Sequence, residues 1–129
     1  MKTRFFLFIS VAALFHSCSS QHTEESASVS ASCASLPAAF STYDEALETI
    51  QSADFPLIDH VNTSRSSWIR AASYYSCNQQ TGFLIISTDG GSYVYDAVPL
   101  DIWYEFKVAP SFGSYYNARI KNRFILKLK

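Results

Sequence analysis

The stretch Gly91-Ser92-Tyr93-Val94-Tyr95-Asp96-Ala97-Val98-Pro99 decides the fold, because a tyrosine-alternating strand runs there directly into a proline-started helix. Side chains alternate across a strand, so Tyr93 and Tyr95 share one face of a sheet and Val94 points to the other. Upstream, Thr88-Asp89-Gly90-Gly91 offers residues that tolerate positive φ between two β-rich runs, which predicts a hairpin with 82–87 as the preceding strand. Downstream, Pro99 has its φ preset for a first helical turn and Asp101 sits near the positive helix end. A helix is therefore expected over 99–109, stopped by Pro110.

Earlier in the chain, Phe40, Tyr43, Leu47 and Ile50 recur at helical spacing. Ser41 or Thr42 is placed to N-cap, and Asp44 and Glu45 fall in the first turn, so a helix is predicted over 41–52. Asp54-Phe55-Pro56 breaks it, since the residue before a proline is driven extended, and 57–61 leads onward. Trp68 to Tyr75 reads as the first strand and Ser114 to Ile120 as a short helix. At the end, Phe124, Leu126 and Leu128 alternate as if sharing one face of a closing edge strand, with Lys127 and Lys129 on the other face to discourage pairing with neighbours. The expected fold is α+β. A small antiparallel β-meander has strands near 68–75, 82–87, 92–97 and 124–128, packed with helices near 41–52, 99–109 and 114–120. A single domain over 40–129 holds one modest core, made denser by an aromatic content of 16%, which accounts for most tyrosines without a functional role.

Residues 61–124 resemble a KTSC domain, the small module named for its place at the C-terminus of some lysyl-tRNA synthetases. The residues that carry the resemblance are Ser66-Ser67, Ile69, Tyr75, the set Gly91, Tyr93 and Tyr95, then Val98-Pro99, followed by Ala109, Ser111, Gly113, Tyr116, Asn117 and Ile120. Each short motif is weak alone; their order and spacing in one compact block give the match its force. The resemblance implies a small α+β domain found alone in many bacterial proteins. It further implies nucleic-acid binding, proposed by association, with no agreed catalytic residues.

The first 17 residues read as an export signal: Lys2 and Arg4 precede an apolar core of 11 residues, Phe5 to Phe15, too short to span a bilayer. The core ends at Phe15-His16-Ser17-Cys18-Ser19-Ser20, which resembles a bacterial lipoprotein signal, although His16 and Phe15 depart from its commonest form. On that reading the Cys18 thiol takes the diacylglycerol, and the acyl chains together anchor the chain stably where one would be marginal. The alternative is an ordinary secretory peptide with a coincidental cysteine; both readings export the chain. Residues 18–39, rich in Ser, Ala, Thr, Gln and Glu, bury too little apolar area to order themselves and are expected to form a flexible tether. With Cys18 in the anchor, Cys33 and Cys77 remain as an even pair in an oxidising compartment and are expected to be bonded.

Charge is unevenly placed. Residues 19–60 hold seven acids and no Lys or Arg, whereas 61–129 hold eight basic residues against four acids. The cluster from Arg119 to Lys129 has the make-up to meet phosphate, an anionic glycan or a lipid surface, or to be a solvated face offset by the acidic helix. Catalytic signatures are missing from the sequence: it has no Gly-x-Ser-x-Gly, His-Glu-x-x-His, Cys-x-x-Cys or phosphate-cradling glycine loop. His60 beside Asp59 is a poor base, because adjacent residues usually point apart, and a surface histidine accounts for it; Asp96 and Asp101 read as a turn acid and a helix-start acid. No catalytic residue, metal or cofactor is expected.

Two functions follow. The favoured one is a non-enzymatic binding module of the bacterial cell envelope, anchored to the membrane through its N-terminal lipid and contacting a protein, peptide or glycan. Tyr93, Tyr95, Ser111, Tyr116, Asn117, Arg119 and Arg123 are its candidate contacts. The alternative is RNA binding, with Tyr93 and Tyr95 as stacking surfaces and Arg119, Lys121 and Arg123 on phosphates. The export signal and a mature net charge that is negative weigh against it.

Overall fold

The computed structural model describes residues 31–129; Cys18 and the export segment lie outside the described residues. Helix α1 spans Tyr43–Ser52 and is followed by four strands, β1 Leu57–Val61, β2 Ile69–Ser76, β3 Thr81–Thr88 and β4 Gly91–Pro99. Helix α2, Leu100–Val108, leads to a short α3, Phe112–Tyr115, which runs on as a π-helical turn over Tyr116–Ile120. The strands form one antiparallel sheet in the order β1-β2-β3-β4.

Local chemistry sets each boundary. Thr42 caps α1 by accepting the Glu45 N–H at 3.0 Å, and the Glu45 carboxylate takes the Ser41 N–H at 2.7 Å, closing a reciprocal cap. Asp89-Gly90 forms the two-residue loop between β3 and β4, with Thr88 opposite Gly91. Pro99 stands just outside α2, and the Arg65 guanidinium holds the helix end by donating to the Ala109 and Pro110 carbonyls at 2.7 and 3.2 Å. Where the sheet needs a close approach, Gly82 supplies it: a side chain there would run into the Tyr75 carbonyl.

The sheet is covered on both faces. On one, α2, α3 and the π turn bury Tyr74, Leu84, Tyr95, Val98, Trp103 and Phe106. On the other, α1 and the chain ends bury Phe40, Ala46, Ile50, Tyr75, Ile85, Val94 and Leu126. Cys33 and Cys77 are joined, with Cα atoms 5.8 Å apart and a sequence separation of 44. Together with the Cys33 N–H to Asp54 carbonyl bond, this ties residues 31–39, assigned by composition to the tether, onto the domain.

Two strand assignments also differ from the sequence reading. Leu57–Val61, read as a lead-in, is edge strand β1, paired with β2 from Leu57 opposite Ser76 to Val61 opposite Ala72. Residues 124–128 form no strand and make two isolated bridges, Tyr95 with Ile125 and Phe40 with Leu128. The expected shared face fails because the segment crosses the sheet edge: Phe124 packs on the α2-side core, Leu126 on the α1-side core, and Leu128 is 44% exposed.

Candidate functional site

The paired tyrosines of β4 sit on one face and have different fates. Tyr95 lies under the helices, 9% exposed, and its hydroxyl shares a buried hydrogen bond with that of Tyr116 at 2.5 Å. Burial pushes the Tyr95 phenol well above its ordinary pKa, and the Tyr116 hydroxyl adds to the shift. Tyr93, two residues earlier, projects past that cover and is 46% exposed.

Beside Tyr93 opens a groove of about 600 Å³. Its α2-side wall is Trp68, Tyr95, Tyr116 and Asn117; its α1-side wall includes Tyr43 and Leu126. Lys121, Asn122 and Ile125 form the rim, and Lys121 is the one lining residue that carries a charge. Trp68 meets the Tyr116 ring edge-on, centroids 5.4 Å apart, and Gly113 makes room for it: a Cβ at 113 would stand 2.8 Å from the indole nitrogen. Tyr43, Tyr93 and Ile125, three of the large apolar side chains left exposed, gather here at 44%, 46% and 64% exposure. Such clustering marks an interaction surface more often than scattered exposure does.

Of the residues singled out by sequence, Tyr93, Tyr95, Tyr116 and Asn117 come together at the groove. Ser111 does not line it; its hydroxyl caps α3, accepting the Ser114 N–H at 3.2 Å. Arg119 lies 3.6 Å from the Glu105 carboxylate, and neither it nor Arg123 is among the lining residues. Trp68, Tyr43, Asn122 and Ile125 were not singled out, since they come from three separate parts of the chain and carry no shared motif.

The acids and His60 are otherwise occupied. Asp59 accepts from the Trp103 indole at 2.9 Å and the Lys107 ammonium at 2.6 Å. Burial pushes its carboxyl upward, but these two hydrogen bonds outweigh that and hold it below its ordinary pKa. The His60 ring lies against the Ser73 hydroxyl at 2.7 Å, away from the Asp59 partners. Asp96 and Asp101 each accept the N–H of the next residue. Among the described residues, no group of three His, Cys, Asp or Glu converges to hold a metal ion, and no helix is long and apolar enough to cross a membrane.

The family model of the KTSC domain matches residues 65–124, so this part of the chain is a KTSC domain. The match takes in most of the groove, leaving Tyr43, Ile125 and Leu126 outside it. No curated protein and no solved structure matches the chain.

Proposed function

We propose that this chain is a non-enzymatic, lipid-anchored module of the bacterial cell envelope that binds a partner protein or peptide through the groove beside Tyr93. The observation that carries the reading is the gathering of exposed Tyr43, Tyr93 and Ile125 around an open groove whose lining holds one charge, Lys121. Aromatic rings with a polar tip supply large contact area at low entropic cost, which is why they dominate binding surfaces. The signal-like N-terminus with Cys18 supports the anchored location. RNA binding draws support from the aromatic lining and Lys121, but a phosphate-tracking surface needs a row of free cations, and Arg119 leans toward Glu105.

A photo-reactive phenylalanine analogue placed at Tyr93 tests the reading in intact cells. Tyr104, exposed on α2 and away from the groove, is the control position. A discrete protein adduct from position 93 and none from 104 is the expected result. Adducts to RNA, or the same products from both positions, would remove it. Mass spectrometry of the purified chain should find its N-terminus at Cys18 with acyl mass added; an unmodified N-terminus elsewhere removes the anchor.

A further inference from the structure

Resting on the partner-binding reading above, we propose that the open edge of β4 takes an extended, acidic segment of the partner as a fifth strand. The chain's own C-terminal segment shows how this edge is used. Asp96 donates its N–H outward to the Phe124 carbonyl at 3.1 Å, and Tyr95 bridges Ile125 in antiparallel sense. The segment then leaves the edge, so that Leu128 pairs with Phe40 and the Lys129 N–H reaches the Phe40 carbonyl at 2.9 Å. On the edge of Gly91 to Val94 that faces away from β3, no described strand lies alongside.

Backbone groups alternate in direction along a strand. Asp96 points its N–H outward, and the Thr88–Gly91 pair closes the hairpin toward β3; Ser92 and Val94 therefore also point outward. Val94 lines the groove, and Ser92 precedes it along the same edge. The groove walls come from both layers of the domain, Trp68 and Tyr116 on the α2 side and Tyr43 and Leu126 on the α1 side. A strand laid between them sends alternate side chains to the two walls. One extended peptide thus satisfies the backbone donors and fills both halves of the groove, as in other strand-addition complexes.

Charge selects the partner. No carboxylate lines the groove, and Lys121, the charged residue of its rim, forms no ion pair among the described residues. An acidic segment complements this rim. A second copy of the chain, paired edge to edge, would bring a second Lys121 to the groove rather than a carboxylate.

The test selects random nine-residue displayed peptides on the full chain in detergent. Enriched sequences should alternate apolar and polar residues and carry Asp or Glu. Synthetic versions should lose at least tenfold in affinity when alternate backbone nitrogens are methylated, and should slow hydrogen exchange at the Ser92 and Val94 amides. Ser92→Pro, which removes one outward donor from an edge where proline is tolerated, should weaken binding with the melting temperature held within a few degrees. Lys121→Glu should weaken it similarly and Lys121→Arg should not. No enrichment, enrichment without acidic residues, self-association through this edge, or binding indifferent to N-methylation each overturns the proposal. Crosslinking at Tyr93 that still captures a partner would then leave the partner-binding reading standing and remove strand addition alone.

Discussion

Replacing Tyr95 by alanine should cost far more stability than the same change at Tyr93, although both stand on one face of β4. The Tyr95 ring is buried against Tyr116, centroids 6.0 Å apart, and the two hydroxyls satisfy each other. Removing a buried aromatic side chain costs about 3–5 kcal/mol from lost transfer energy and the cavity left behind. Tyr93 is 46% exposed, so about half of its burial contribution is absent from the start, and its removal should cost on the order of 1 kcal/mol. For a domain of this size a loss of 1 kcal/mol lowers the melting temperature by roughly 4–8 °C, which separates the two variants clearly. Tyr95→Phe keeps the ring and strands the Tyr116 hydroxyl, for about 1–2 kcal/mol, and combining it with Tyr116→Phe should recover part of that loss. Equilibrium urea unfolding provides the measurement, with the slope checked for constancy so that a midpoint shift reports stability. Equal losses for Tyr93→Ala and Tyr95→Ala, or a Tyr95→Ala loss below about 1.5 kcal/mol, would refute the assignment of Tyr95 to the core.

Removing the disulfide by Cys33→Ser with Cys77→Ser opens a loop whose ends are 44 residues apart, and should cost up to about 4 kcal/mol. Melting of the wild type with and without reductant checks this, and two free thiols in the folded, unreduced protein would contradict it. Burial holds the Tyr74 phenol up at about 12 and pushes Tyr95 higher still. The unfolded chain ionises tyrosine near 10, so this contribution to stability is full below about pH 10 and falls above it by about 1.4 kcal/mol per pH unit for each tyrosine. Urea midpoints between pH 9 and 11.5 should show the fall, less steeply in Tyr74→Phe. Asp59 has its pKa lowered, so its contribution is present above about pH 4 and lost as pH drops through the folded value. Asp59→Asn should cost about 2 kcal/mol at pH 7 and progressively less as the pH falls below about 4, which paired urea titrations would show.

The central hairpin and the helices around it were legible because each carries its own local chemistry: Asp89-Gly90 for the loop, Thr42 with Glu45 for a cap, Pro99 and Pro110 around α2. The cysteine pair followed from counting. Strand β1 was hidden because Leu57-Ile58-Asp59-His60-Val61 mixes apolar and charged residues without clean alternation, and only pairing with β2 makes it a strand. The end of the chain misled for the opposite reason. Phe124, Leu126 and Leu128 alternate well, but a segment that crosses from one face of a sheet to the other keeps that pattern while sending its residues to different cores. For the groove, the sequence placed Tyr93 and Tyr95 side by side, yet could not tell which one the helices would cover.

That cover is built by a short relay of contacts. Gly113 lacks a side chain, so Trp68 packs against it; Trp68 braces Tyr116, and Tyr116 holds the Tyr95 hydroxyl. The groove wall is therefore an extension of the core, fixed when the domain folds. Ordering an interface usually consumes a share of the binding energy, and here folding has already ordered Trp68, Tyr116 and Tyr95. Tyr43, Tyr93 and Ile125 are the groove residues left largely exposed. On the strand-addition proposal, a partner meets this preformed wall and is held chiefly through its backbone and its alternation. The KTSC block supplies most of the groove's lining, and Tyr43, Ile125 and Leu126, from outside the matched residues, complete it.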